Sequence, residues 1–179
     1  MSEKLIEELK NSLPLISLDR WKESPSHNSN NLETVRWLPL VKIKPEMSLG
    51  LTKEGYWVKD SGGSVTFFPP GTPLVFLLPC LELKYNDLHG MIKAAFLNLG
   101  LSGEFFKIFP SSDLVSMGLT IGSGYWSELA LNWAEEMNFD DKLKQSLVHA
   151  RDFGLTQKIR QKASKLLRSY RQSEYYPPA

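Results

Sequence analysis

The chain is predicted to be an α+β protein: a small, mostly antiparallel sheet packed on a helix, followed by a C-terminal antiparallel helical unit. Three observations carry that expectation. β-favouring runs on either side of Asp60-Ser61-Gly62-Gly63 read as a hairpin. Leu88, Ile92, Ala95, Phe96 and Leu99 fall on one face of a helix. From Gly124 onward, three apolar stripes of helical period follow one another with short connections, so neighbours should run back and forth. Residues 1–110 form an α+β core with the sheet and residues 111–179 a helical unit with a basic last helix. At 179 residues the two make one compact domain.

In chain order, Ser2–Ser12 reads as a short helix. Ser2 caps it, Glu3 suits its positive end, and Leu5, Ile6, Leu9 and Leu13 share a stripe that Pro14 ends. Residues 22–31 read as polar loop. Thr34–Lys44 alternates through Val35, Trp37, Val41 and Ile43, a strand broken at Pro39. The hairpin strands are Gly55–Lys59 and Ser64–Phe68. Leu74–Leu78 is a run of five apolar residues, which suits a strand buried on both faces. Pro79 then bends the chain, and Cys80–Lys84 continues it. The predicted sheet thus spans about residues 33–84, with Val75, Phe76, Leu77, Ile92 and Phe96 in mutual core contact. Asn86 or Asp87 caps the 86–99 helix, and Gly100 sits where a left-handed C-cap belongs. Glu104–Phe109 is a short β-like segment, and residues 111–123 show no clear period.

The helical unit then begins. Trp126, Ala130, Trp133, Ala134 and Met137 form its first stripe. Asp140 or Asp141 caps a second helix, with Leu143, Leu147, Ala150 and Phe153 inside and Gly154 ending it. Thr156 caps a third, with Ile159, Ala163, Leu166, Leu167 and Tyr170 inside. Tyr175-Tyr176-Pro177-Pro178 is a tail.

Composition narrows the function classes. A hydrophobic fraction of 42% and a charged fraction of 23% are those of an ordinary globular protein. The N-terminal Met-Ser-Glu-Lys-Leu-Ile-Glu-Glu has acids where a secretory leader has a basic and then an apolar region. No apolar run approaches the ~18 residues of a membrane-spanning helix. The lone cysteine, Cys80, allows no intramolecular disulfide and no cysteine-based zinc site, and it points to a reducing, cytoplasmic setting.

Catalytic motifs are not apparent. His27, His89 and His149 stand far apart without second ligands at metal spacing, so no metal and no cofactor is expected. No Gly-x-Ser-x-Gly elbow occurs. Gly118-Leu-Thr-Ile-Gly122-Ser-Gly124 precedes a helix and could cradle an anion. It lacks phosphate-loop spacing and the lysine of such loops, and reads as a flexible turn with a helix cap. Trp57, Trp126 and Trp133 read as core aromatics.

The feature above background is electrostatic. Residues 1–141 carry a net charge of −6 and residues 142–179 a net charge of +7. Between Thr156 and Gln172 every charged residue is basic: Lys158, Arg160, Lys162, Lys165, Arg168 and Arg171. Like charges at i,i+3 and i,i+4 cost about 0.2–0.5 kcal/mol per pair, so this helix profits from negative charge nearby. That charge belongs either to the chain's own acidic part or to a partner. Gln145, Ala150, Phe153, Gly154, Leu155 and Ala163 also form a pattern that resembles the helix-turn-helix of bacterial DNA-binding proteins, with Arg160 where that family has a buried aliphatic residue. The resemblance covers residues 145–164 and implies duplex binding through the following helix.

The expected function is that of a non-enzymatic cytoplasmic binding or adaptor protein, with these six cations contacting an acidic protein partner. A DNA-binding protein using residues 145–164, with nucleic acid as the partner, is the alternative. An enzyme with an unrecognised site is third. Each leaves a distinct mark. An adaptor shows an exposed apolar patch beside the basic face. A DNA reader leaves Arg160 and Gln161 free. An enzyme shows converging polar groups with shifted pKa values.

Overall fold

The structure, a computed structural model, describes residues 3–27, 33–138 and 140–175, with side chains as far as Tyr170. The Ser2 cap, residues 28–31 of the polar run, the Arg171 side chain and residues 176–178 of the tail lie outside the described part. The protein is α+β. Its backbone contacts form two compact units: Met1–Phe76 with Leu88–Phe109, and Leu77–Asp87 with Pro110–Ala179.

The first unit holds a five-stranded sheet of β1 (Lys22–Pro25), β2 (Thr34–Lys44), β3 (Met47–Thr52), β4 (Trp57–Ser61) and β5 (Val65–Phe68). Each strand pairs antiparallel with its neighbour in sequence. The predicted hairpin is β4–β5. Gly62 and Gly63 sit at φ 71° and 109°, the two positive values a tight primed turn needs, and the Ser61 N–H donates to the Ser64 carbonyl at 2.9 Å. The predicted break at Pro39 is a register irregularity between Pro39 and Val41 within one strand, because proline offers no ladder N–H.

The sheet curls until Ser26 bridges Val65, where the His27 N–H donates to the Val65 carbonyl at 2.8 Å. Trp37, Val58 and Val65 cluster inside the curl, with Val35 and Phe67 against them. Gly50 makes room: a Cβ there would lie 2.5 Å from the Trp37 ring and 2.3 Å from the Leu38 carbonyl.

β1 corrects the reading of residues 22–31 as loop. Lys22-Glu-Ser-Pro25 has no apolar alternation, since it is a mostly exposed edge that contributes backbone hydrogen bonds and one cross-strand ion pair, Glu23–Arg36 at 2.6 Å.

The opposite face carries Leu38, Leu51, Trp57 and Phe68, paired across neighbouring strands and all buried. The Trp57 indole donates to the Ile108 carbonyl at 3.3 Å, and its ring meets Phe109 edge-on at 5.0 Å. Helix α1 (Glu3–Ser12) buries Leu9. Helix α2 (Tyr85–Asn98) buries Leu88, His89, Ile92 and Phe96, and Gly100 ends it at φ 73°, as its spacing predicts. Phe96 meets Phe105 at 5.6 Å, and His89 meets Phe106 at 5.3 Å. The segment Gly103–Ile108 therefore touches both the sheet and α2. It is a 3₁₀ helix rather than the expected β-like segment, and its buried Phe105, Ile108 and Phe109 recur at helical spacing.

The largest correction is the apolar run. Leu74–Glu82 is a 3₁₀ helix, not a buried strand. With three residues per turn, Leu77 and Cys80 fall on one row and Leu78 and Leu81 on the next, and all four are buried. Phe76, Pro79 and Glu82 form the outer row, so Phe76 is 53% exposed; Val75, in the first turn of the row of Leu78 and Leu81, is only half-buried, and both fall outside the core set predicted for them. A run of consecutive apolar residues does not by itself separate a strand from a tight helix.

The second unit holds α3 (Ser111–Thr120), α4 (Gly124–Glu136), α5 (Asp141–Phe153) and α6 (Gln157–Tyr175). α3 orders the residues that lacked a clear period. Its Gly118 lets α4 approach: a Cβ would lie 2.9 Å from that of Ala130, and the Ser127 hydroxyl donates to the Gly118 carbonyl at 3.1 Å. Of the expected turn and cap, Gly122 supplies the turn at φ 77° and Ser123 caps α4. Leu83 accepts the Trp133 indole N–H at 2.8 Å. Asp140 and Thr156 cap α5 and α6 as predicted, accepting the N–H groups of Leu143 at 2.7 Å and Ile159 at 3.2 Å.

Candidate functional site

The basic helix α6 is placed by its apolar stripe. Ile159, Ala163, Leu166 and Leu167 are buried, which directs the polar positions outward. The Tyr170 hydroxyl lies 2.8 Å from the Ala134 carbonyl and 3.2 Å from that of Met137, anchoring the far end of α6 to the end of α4. Lys158 meets Glu128 at 3.1 Å, and the Lys162 amine meets Asn132 at 2.6 Å and Glu135 at 3.2 Å. These contacts advance together along both helices, so α4 and α6 run parallel.

Of the six predicted cations, the five with described side chains divide, and the Arg171 side chain lies outside the described part. Lys158 and Lys162 find carboxylates within the chain. Arg160 is half-buried and donates to the Gly154 carbonyl at 2.6 Å, back at the turn that begins its own helix. Lys165 and Arg168 are exposed, and the Arg168 guanidinium approaches the Ser164 carbonyl at 3.4 Å. Among the described residues, no carboxylate pairs with Arg160, Lys165 or Arg168. The chain's own acids therefore neutralise only part of the face, and the exposed pairs that do so contribute about 0–1 kcal/mol each.

Sequence periodicity missed the apolar side chains at the α5–α6 turn. Phe153, expected inside, is 73% exposed, and Leu155 is 58% exposed. The α5 stripe ends at Ala150, and Phe153 lies at the last position of the helix, beyond the packed rows. Its ring leans on His149 at 5.1 Å. Tyr125, one turn before Glu128, is also exposed at this end of α4. Exposed Phe153 and Leu155 thus flank the turn that leads into the basic helix and holds Arg160. In the helix-turn-helix pattern these same residues flank a turn glycine from within the fold; here both side chains face solvent. Gly154 is required for space, not for a left-handed backbone: its φ is −57°, and a Cβ would lie 2.4 Å from the Ala150 carbonyl and 2.7 Å from Ile159.

Other chemistry-bearing groups are scattered. His89 is buried against Phe106 and Phe109, and burial lowers its pKa to about 4. The structure brings His27 Nε2 to 2.5 Å from the Ser64 hydroxyl, a pairing the sequence does not announce. The nearby Asp60 carboxylate instead accepts the Gly63 N–H at 3.1 Å. An open cleft of about 510 Å³ on the curled sheet is floored by Val35, Tyr56 and Phe67 and rimmed by the Glu23–Arg36 pair; His27, Ser64 and His89 do not line it. No group of three or more potential metal ligands occurs among the described residues, and no described helix is long and apolar enough to cross a membrane. No family model matches the chain, and neither curated proteins nor solved structures yield a match.

Proposed function

We propose that this is a non-enzymatic binding or adaptor protein that presents the α6 face to an acidic protein partner, in the reducing setting that its single buried cysteine suggests. The observation that carries the reading is the division of charge on α6. Arg160, Lys165 and Arg168 have no carboxylate partner among the described residues, and exposed Phe153 and Leu155 flank the glycine whose carbonyl Arg160 reaches. Unpaired cations attract an acidic surface over a Debye length of about 8–10 Å, and apolar side chains add short-range affinity that a purely electrostatic contact lacks.

The DNA-binding alternative has less in its favour. Arg160 is turned back onto Gly154, and the apolar residues that the helix-turn-helix pattern would bury are exposed. The two readings separate in a titration of labelled poly-glutamate, heparin and duplex DNA at two salt concentrations. The adaptor reading expects binding to poly-glutamate and heparin that weakens steeply with salt and shows no DNA sequence preference. No binding to any polyanion at low salt would refute it.

A further inference from the structure

We propose that the α5–α6 turn docks a short acidic amphipathic segment of the partner protein, whose carboxylate is received by Arg160 and whose apolar side chains seat on Phe153 and Leu155. This rests on the basic-face reading and specifies its partner's chemistry. Three observations converge on one turn. Phe153 and Leu155 flank Gly154 and are both mostly exposed. Arg160 donates through one guanidinium nitrogen to the carbonyl of that same glycine at 2.6 Å, which holds the cation at the turn that carries both apolar residues. Gly154 is closely packed, with no room for a Cβ against the Ala150 carbonyl, Ile159 and the Arg160 stem, so the turn that carries all three groups is a tight one. Anchors already held in place lose less conformational entropy on binding.

Charge selects the occupant. Arg160 keeps further N–H donors for an acceptor beyond Gly154. The acid at the turn, Asp152, is held by Arg151 through two hydrogen bonds of 2.7 and 2.8 Å, and this pairing keeps its carboxyl below the usual carboxylate range. Lys158 is matched by Glu128. The uncompensated charge at the turn is therefore positive and continues along α6 through Lys165 and Arg168. A nucleic-acid duplex, bound through its phosphates, would use the cations and leave Phe153 and Leu155 in water. A neutral apolar peptide would cover those two and bury the Arg160 charge with no carboxylate to balance it, at a cost that selects against it. A segment with Asp or Glu next to Leu, Phe or Trp satisfies both.

The test is selection of phage-displayed random 12-residue peptides on the full chain, with enriched peptides measured by fluorescence anisotropy. Enrichment of an acid flanked by large apolar residues is expected. Phe153→Ser/Leu155→Ser should weaken those peptides about tenfold or more. It should leave retention on heparin, and the melting curve, unchanged because both side chains are exposed. Arg160→Gln should weaken the peptides as well. Failure to enrich any peptide, enrichment of peptides without acids, or equal binding to the double variant would overturn the proposal. Heparin retention that survives such a failure would leave the basic-face reading standing; loss of both would remove the two together.

Discussion

His89 shows how far a residue's environment is hidden in sequence. Its spacing, three residues before Ile92 and seven before Phe96, puts it on the apolar face of α2, but the Phe106 and Phe109 rings that cover it come from 103–109. The consequence is a pH dependence with a definite sign. Its folded pKa of about 4 lies below the ordinary 6.5, so the unfolded chain binds the proton more readily. Stability is fully present above about pH 6.5 and is lost as pH falls towards 4, by up to about 3 kcal/mol. Urea unfolding at pH 7 and pH 4.5 should show a larger loss for the wild type than for His89→Leu. Equal losses would mean that His89 is not the group responsible. Gly50 is a second residue whose role appears only with its partner in place. Gly50→Ala forces a methyl into the Trp37 ring and should cost about 1–3 kcal/mol, read as a lower urea midpoint.

Elements were legible where a period and a stop signal agreed. The β4–β5 hairpin, α2 with its Gly100 cap, and the Asp140 and Thr156 caps all follow from local chemistry that tertiary packing did not override. The errors share one cause. Leu74–Glu82, Gly103–Ile108 and β1 are short or lack alternation, so what decides them is the neighbour they meet rather than their own pattern. The 3₁₀ assignment of the apolar run makes a paired prediction. Phe96→Ala, with the side chain fully buried against Phe105, should cost about 3–5 kcal/mol, while Phe76→Ser should cost less than about 0.5 kcal/mol. A strand buried on both faces would make Phe76→Ser comparably severe. Thermal melts of the two variants decide between them.

Over the whole chain, the charge split between residues 1–141 and 142–179 was plain in the sequence, but its resolution was not. Counting charges left two outcomes open, full internal neutralisation or none. The structure gives a division, because Glu128 and Glu135 on α4 reach Lys158 and Lys162, while no carboxylate among the described residues pairs with exposed Lys165 or Arg168. The exposed apolar turn was hidden for a different reason: a helical stripe does not say where its last residue stops being covered. The same division supplies the most direct test of the basic-face reading. Heparin and poly-glutamate affinities should be compared at low and moderate salt for two charge-reversal variants, Lys165→Glu/Arg168→Glu and Lys158→Glu/Lys162→Glu, with melting curves for each. The first pair should lose most of the salt-dependent binding at an unchanged melting temperature, and the second should melt earlier, because each reversal sets a carboxylate against Glu128 or Glu135. Undiminished binding by the Lys165→Glu/Arg168→Glu variant would contradict the account.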